Sequence, residues 1–81
     1  MSEIATAGQI RAARYALNWS IESLSEVSGV SVRTIIRYES YDGVPPSRSG
    51  NLQKLIHALE AGGIEFIGAP GDRPGVRIRG G

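Results

Sequence analysis

The sequence predicts a mainly α-helical domain of four to five helices with a short β-hairpin at its C-terminal end. Three observations carry this. Good N-cap residues, Thr6, Ser20 and Ser31, each stand just before an apolar pattern of helical period. Two of the helices opened in this way are separated by Gly29, Val30 and Ser31 alone, so they cannot run on as one rod. Beyond Gly62 and Gly63 the apolar period falls from that of a helix to two.

The first helix opens at Thr6, three residues before Gln9, the spacing of a capping box, and runs to about Leu17. Met1 to Ala5 read as a frayed start. Ile10, Ala13 and Leu17 share one face and Arg11 and Arg14 lie off it, which predicts a core side and a cationic side. Ser20 caps the second helix, with Glu22 in its first turn favourable to the helix dipole. Trp19 and Leu24 match a hydrophobic staple across that cap. Ile21, Leu24 and Val27 are the expected buried positions, and Gly29 stands where a left-handed residue ends the helix.

The chain restarts at once. Val30 packs inward, Ser31 caps, Val30 with Ile35 repeats the staple, and a third helix follows from about Val32 to Glu39. Two capped helices this close in sequence cross steeply, the geometry of a helix-turn-helix. Ser40 to Ser47, containing Gly43, Pro45 and Pro46, is expected to be a loop. A fourth helix is expected from about Arg48 to Ala61, burying Leu52, Leu55, Ile56 and Leu59 and leaving His57 off the stripe. Ile64 to Ile67 and Val76 to Arg79 read as strands joined by a loop from Gly68 to Gly75. Residues 1–63 thus form the helical part and 64–81 the hairpin tail of one domain.

Composition removes several classes of function. With no cysteine there is no disulfide or thiolate chemistry, and one histidine without cysteine makes a structural zinc site improbable. No cofactor is expected. No apolar run approaches the roughly 20 residues that cross a bilayer, and the first residues have neither a basic start nor a hydrophobic middle, so a cytoplasmic, non-membrane protein is expected. Eighty-one residues leave little room for a core and a deep catalytic cavity together. No nucleophile-base pair, carboxylate pair or phosphate-cradling loop is visible, and an enzyme is not expected. The net charge of +1 is uninformative, but eight of the nine cations are arginine, the residue suited to bidentate contact with phosphate and guanine.

The third helix sorts its own side chains. Ile35 and Tyr38 are expected to face the core, which leaves Val32 and Ile36 as one exposed row and Arg33 and Arg37 as the next. A helix fits the major groove of B-DNA, where guanidinium forks suit guanine or phosphate and branched methyls suit thymine. The alternative is a merely solvated arginine face with Ile36 in the core.

Ile10 with Arg14, Ser20-Ile21-Glu22-Ser23-Leu24, Gly29-Val30-Ser31, Thr34-Ile35, Arg37, Glu39 and the closing helix Leu52 to Leu59 together resemble the Cro and lambda-repressor-like helix-turn-helix family, often called the XRE family. The resemblance spans Gln9 to Leu59. It implies a fold of four or five helices that binds operator DNA as a symmetric dimer and regulates transcription. It further implies Val32, Arg33, Ile36 and Arg37 at base edges. Arg14 and Glu39 match positions of an ion pair between the first helix and the end of the third; the alternative is two independent surface charges. Ser20, Thr34, Ser40 and Ser47 are candidates for backbone phosphates. Two departures stand out: Ile21 replaces a phosphate-contacting glutamine, and Val32 a position often polar, so affinity would lean on Arg33, Arg37, Arg48 and Arg11.

The tail needs a surface, because an isolated hairpin is marginally stable. Ile64, Phe66, Val76 and Ile78 would bury against the protein's own helices or, the slightly favoured expectation, across a twofold axis in a homodimer. A sequence-specific regulator without an effector domain follows, a small phage-type repressor or an antitoxin that represses its own operon and holds a toxin with its tail. A protein-interaction module that has lost DNA binding, using Val32 and Ile36 against a protein, is the alternative.

Overall fold

The computed structural model describes residues 4–47 and 49–79. In chain order these form α1 (Ala7–Ala16), α2 (Ile21–Ser28), α3 (Val32–Glu39), α4 (Asn51–Ala61), β1 (Ile64–Ala69) and β2 (Asp72–Ile78). The mainly helical class with a terminal antiparallel hairpin is therefore the one the sequence predicts.

Each of the first three helices starts where its cap places it. Thr6 and Gln9 form a reciprocal capping box: Thr6 Oγ1 accepts from the Gln9 amide at 3.0 Å and Gln9 Oε1 accepts from the Thr6 amide at 2.9 Å. Ser20 and Ser31 accept from the amides of Ser23 and Thr34 at 3.0 and 3.2 Å. Gly29, at φ 77°, turns the chain out of α2 in the left-handed conformation that a side chain would disfavour. The fourth helix departs from expectation. It starts at Asn51 rather than near residue 48, because Gly50 at φ 77° breaks the helical path, and Ser47 Oγ instead reaches across to accept from the Leu52 amide at 3.0 Å. Arg48 lies outside the described residues.

The core joins Ile10 and Ala13 of α1, Leu24 of α2, Val30 of the turn, Ile35 and Tyr38 of α3, and Leu52, Leu55, Ile56 and Leu59 of α4. Fully burying a side chain of this size contributes about 1.5–3 kcal/mol, so the periodic stripes are what hold the helices together. Three expectations need correction. Ala5, read as part of a frayed start, is fully buried; Met1 to Glu3 lie outside the described residues. Arg14, placed on a cationic face, is buried for a reason given below. Val27 is 55% exposed, because the last turn of α2 meets α4 at Ala58 and Ala61, whose short side chains leave an open groove.

The hairpin pairs Ile64 with Ile78, Glu65 with Arg77, Phe66 with Val76 and Ile67 with Gly75, then Ala69 with Asp72 beyond a bulge. Most of the expected Gly68–Gly75 loop is therefore drawn into strands, and Pro70-Gly71 alone makes the turn. The bulge allows this by leaving Gly68, Arg73 and Pro74 outside the register, so proline's missing donor costs no ladder bond. Gly68 sits at φ 77°, and a Cβ there would lie 2.2 Å from the Arg73 carbonyl oxygen. The tail folds back on its own helices, β1 against α4 and β2 against α1. Ile64 is buried and Phe66 and Val76 pack on the core, whereas Ile78, expected with them, is 54% exposed.

Candidate nucleic-acid interface

Helix α3 is divided lengthwise. Ile35, Tyr38 and Glu39 are buried, Val32 and Thr34 are half-buried, and Arg33, Ile36 and Arg37 are exposed, Ile36 to 50%. The division follows from the staple at Val30: once that residue is buried, Ile35 must follow it inward and positions 33, 36 and 37 must turn out. Among the described residues Arg33 forms no ion pair. The Arg37 guanidinium carbon lies 5.8 Å from the centroid of the Tyr38 ring, beside one cleft walled by Pro46, Ser49 and Asn51 and a second walled by Tyr41, Pro45 and Pro46. One turn of cationic and branched apolar side chains is thus presented on a single exposed ridge.

The opposite side of α3 is clamped to α1. Arg14 Nε donates to Glu39 Oε2 at 2.7 Å, Arg14 Nη2 to Glu39 Oε1 at 2.8 Å, and Arg14 Nη1 to the Trp19 carbonyl at 3.1 Å. Both side chains are over nine-tenths buried, and the bidentate geometry is what lets a charge pair sit there. The bond to Glu39 raises the Arg14 pKa against the opposing effect of burial, so the guanidinium stays charged. Arg11 also turns to this end and donates through Nη1 to the Glu39 carbonyl. Two cations therefore meet the C-terminus of α3, where the helix dipole favours positive charge. Arg14 is thereby withdrawn from the cationic face expected of α1, while Arg11 stays exposed with one nitrogen bonded to α3.

The hydroxyls singled out for phosphate differ in what they have left to give. Ser20 Oγ donates to Ser23 Oγ at 3.0 Å, and Ser40 Oγ donates to the Ile36 carbonyl at 2.8 Å, so both protons are committed. Thr34 Oγ1 accepts from Ser31 Oγ at 2.9 Å and Ser47 Oγ accepts from Leu52, and among the described residues neither hydroxyl donates to a further acceptor. One important residue escaped the sequence. Gln9 is buried, and beyond its capping role its Nε2 donates to the carbonyls of Ile67 at 3.2 Å and Gly75 at 2.9 Å, tying the hairpin to α1. The capping spacing names Gln9 but carries no sign of its second task. Among the described residues no group of three or more His, Asp or Glu is placed to hold a metal, and no helix is long and apolar enough to cross a membrane.

Two capped helices that cross at a left-handed glycine, the second clamped behind and charged in front, define a helix-turn-helix unit built to present one helix outward. A family model described as Helix-turn-helix matches residues 10–62, about two-thirds of the chain. The chain belongs to this family, of the XRE type, which consists of DNA-binding transcription regulators. No curated protein matches the chain significantly.

Proposed function

We propose that the chain is a sequence-specific transcription regulator that lays α3 in the major groove, with Val32, Arg33, Ile36 and Arg37 at base edges. The observation that carries this is the lengthwise division of α3: its buried side is fixed by Ile35, Tyr38 and the Arg14–Glu39 pair, while Arg33, Ile36 and Arg37 stand exposed. A guanidinium without an ion-pair partner on a rigid helix suits bidentate bonding to guanine O6 and N7, and an exposed branched side chain suits a thymine methyl. Thr34 and Ser47, which donate to no further acceptor among the described residues, are the better phosphate contacts; Ser20, Ser40 and Arg48 complete the set.

A single short helix in one groove gives limited affinity, so the active form is a homodimer on half-sites about one helical turn apart. In that role the protein is a small repressor, or an antitoxin that regulates its own operon while its tail holds a toxin. The half-exposed Ile36 supports one other use, a protein contact in place of a thymine. Salt separates the two: binding to DNA weakens steeply as salt rises because counterions are released, and an apolar protein contact does not.

The deciding experiment is selection from random duplexes with the native chain and with Arg33→Ala. The native chain should recover a symmetric site, and the variant should lose about 1–3 kcal/mol of specific affinity together with the preference at one base pair. An identical preferred sequence for both proteins would remove Arg33 from base reading.

A further inference from the structure

The turn between α2 and α3 is closed by side chains of α2 rather than by its own backbone. Gly29 donates to the Ser25 carbonyl at 2.9 Å and so ends α2, but among the described residues neither the amide nor the carbonyl of Val30 bonds to another backbone group. Val30 is buried in the core, where polar backbone groups need partners. Two serines supply them. Ser25 Oγ donates to the Val30 carbonyl at 2.6 Å, and Ser28 Oγ accepts from the Val30 amide at 3.1 Å. Serine is a modest helix former because its hydroxyl competes for nearby backbone groups, usually those of the preceding turn. Ser25 reaches forward instead, out of α2 and past Gly29 to the residue that turns the chain.

These bonds fall where they govern the direction of α3. Val30 is followed directly by the cap Ser31, whose Oγ accepts from the Thr34 amide and donates to Thr34 Oγ1, and Arg33 comes two residues after that cap. The other end of α3 is fixed by the bidentate Arg14–Glu39 pair. Eight residues of helix span only about 12 Å, so α3 is a short rod held at both ends. Freed at Val30, it would swing about Glu39 and carry Arg33 with it.

We propose that Ser25 and Ser28 are positioning residues for base reading: by bonding both polar groups of Val30 they lock the angle at which α3 leaves α2, and with it the aim of Arg33. This rests on the groove-reading function above and assigns neither serine a contact with DNA. Phosphate contacts by long cations tolerate a small swing of the helix, whereas bidentate bonding to a base edge demands fixed geometry. Removing the lock should therefore cost specific binding more than non-specific binding.

The test compares binding of the full chain and its variants to the selected site and to a scrambled duplex, at a temperature at which circular dichroism shows every variant folded. Ser25→Ala should weaken binding to the selected site by about tenfold, the worth of one bidentate base contact, and leave the scrambled duplex unchanged. Selection from random duplexes should show preference reduced at every position α3 reads, whereas Arg33→Ala reduces it at one. Ser25→Thr, which keeps the hydroxyl, should restore the native ratio of the two affinities. Ser28→Ala should give the same pattern in smaller measure, and decides the matter if Ser25→Ala does not fold. Equal weakening on both duplexes, or a native ratio in the alanine variants with Arg33→Ala still losing its base preference, would overturn the lock and leave groove reading intact. A native chain from which selection recovers no preferred sequence would overturn both.

Discussion

Replacing Arg14 with methionine should destabilise the fold by roughly 3–5 kcal/mol, the usual consequence of stranding one member of a buried ion pair. The magnitude follows from what the Glu39 carboxylate keeps. Its side chain is 7% exposed, both oxygens bond only to Arg14 among the described residues, and methionine offers neither a donor nor room for water. A domain of 81 residues has a total stability of about 4–12 kcal/mol, so the loss takes a large share of it. The melting temperature should fall by at least about 12 °C. Urea titration followed by fluorescence of Trp19, the one tryptophan, measures the loss, with an unchanged m-value showing that the same surface is exposed on unfolding. The double variant Arg14→Met with Glu39→Leu should return to within about 1 kcal/mol of the native chain, since an apolar pair of similar volume often replaces a buried ion pair without loss. If the pair also orients α3, the double variant will regain stability and still bind DNA more weakly. A single-variant cost below about 1 kcal/mol, or a double variant as costly as the two singles together, would refute the reasoning.

Adjacent isoleucines should behave oppositely. Ile35→Ala, in the core, should cost about 2–5 kcal/mol of stability, whereas Ile36→Ala, half-exposed, should leave the urea midpoint nearly unchanged and weaken DNA binding. Comparison of midpoints and binding curves for the two variants checks this. Gly68→Ala places a Cβ against the Arg73 carbonyl at a positive φ, and should cost more than about 1 kcal/mol. Amide exchange should quicken most in β1 and β2 and, through the Gln9 bonds, to a lesser degree in α1.

The helical half of the fold was legible because its signals are local. Thr6, Ser20 and Ser31 mark helix starts by bonds within three residues, and Gly29 marks a stop by its backbone alone. Boundaries failed where distant contacts decide. Val27 has the right spacing for burial, but whether anything covers it depends on the size of Ala58 and Ala61 on another helix. The hairpin was recognisable from its alternation, yet its length was hidden, because Gly68, Pro70 and Pro74 read as loop residues until a bulge absorbs them into the ladder. Of the candidate interface, the facing of Arg33, Ile35 and Ile36 came from the turn at Val30 and Ser31. Which hydroxyls are already committed to protein acceptors could come only from coordinates.

Helix α1 explains why reading helix and tail belong to one cooperative unit although they are separated by α4 in sequence. Its side chains and amides meet every element that must be positioned: Arg14 and Arg11 hold the end of α3, the Ala7 amide holds the following loop, and Gln9 holds both strands of the hairpin. The stripe of Ile10 and Ala13 that attaches α1 to the core is small, and ten residues of helix have little stability of their own. The polar bonds are therefore mutually supporting: the hairpin helps order the helix that in turn fixes α3. The family match covers residues 10–62 and leaves both strands of the hairpin outside it. A partner that captured the hairpin would take Gln9's two carbonyl acceptors with it and loosen the frame behind the reading helix, which gives the tail a route to influence DNA binding without touching DNA.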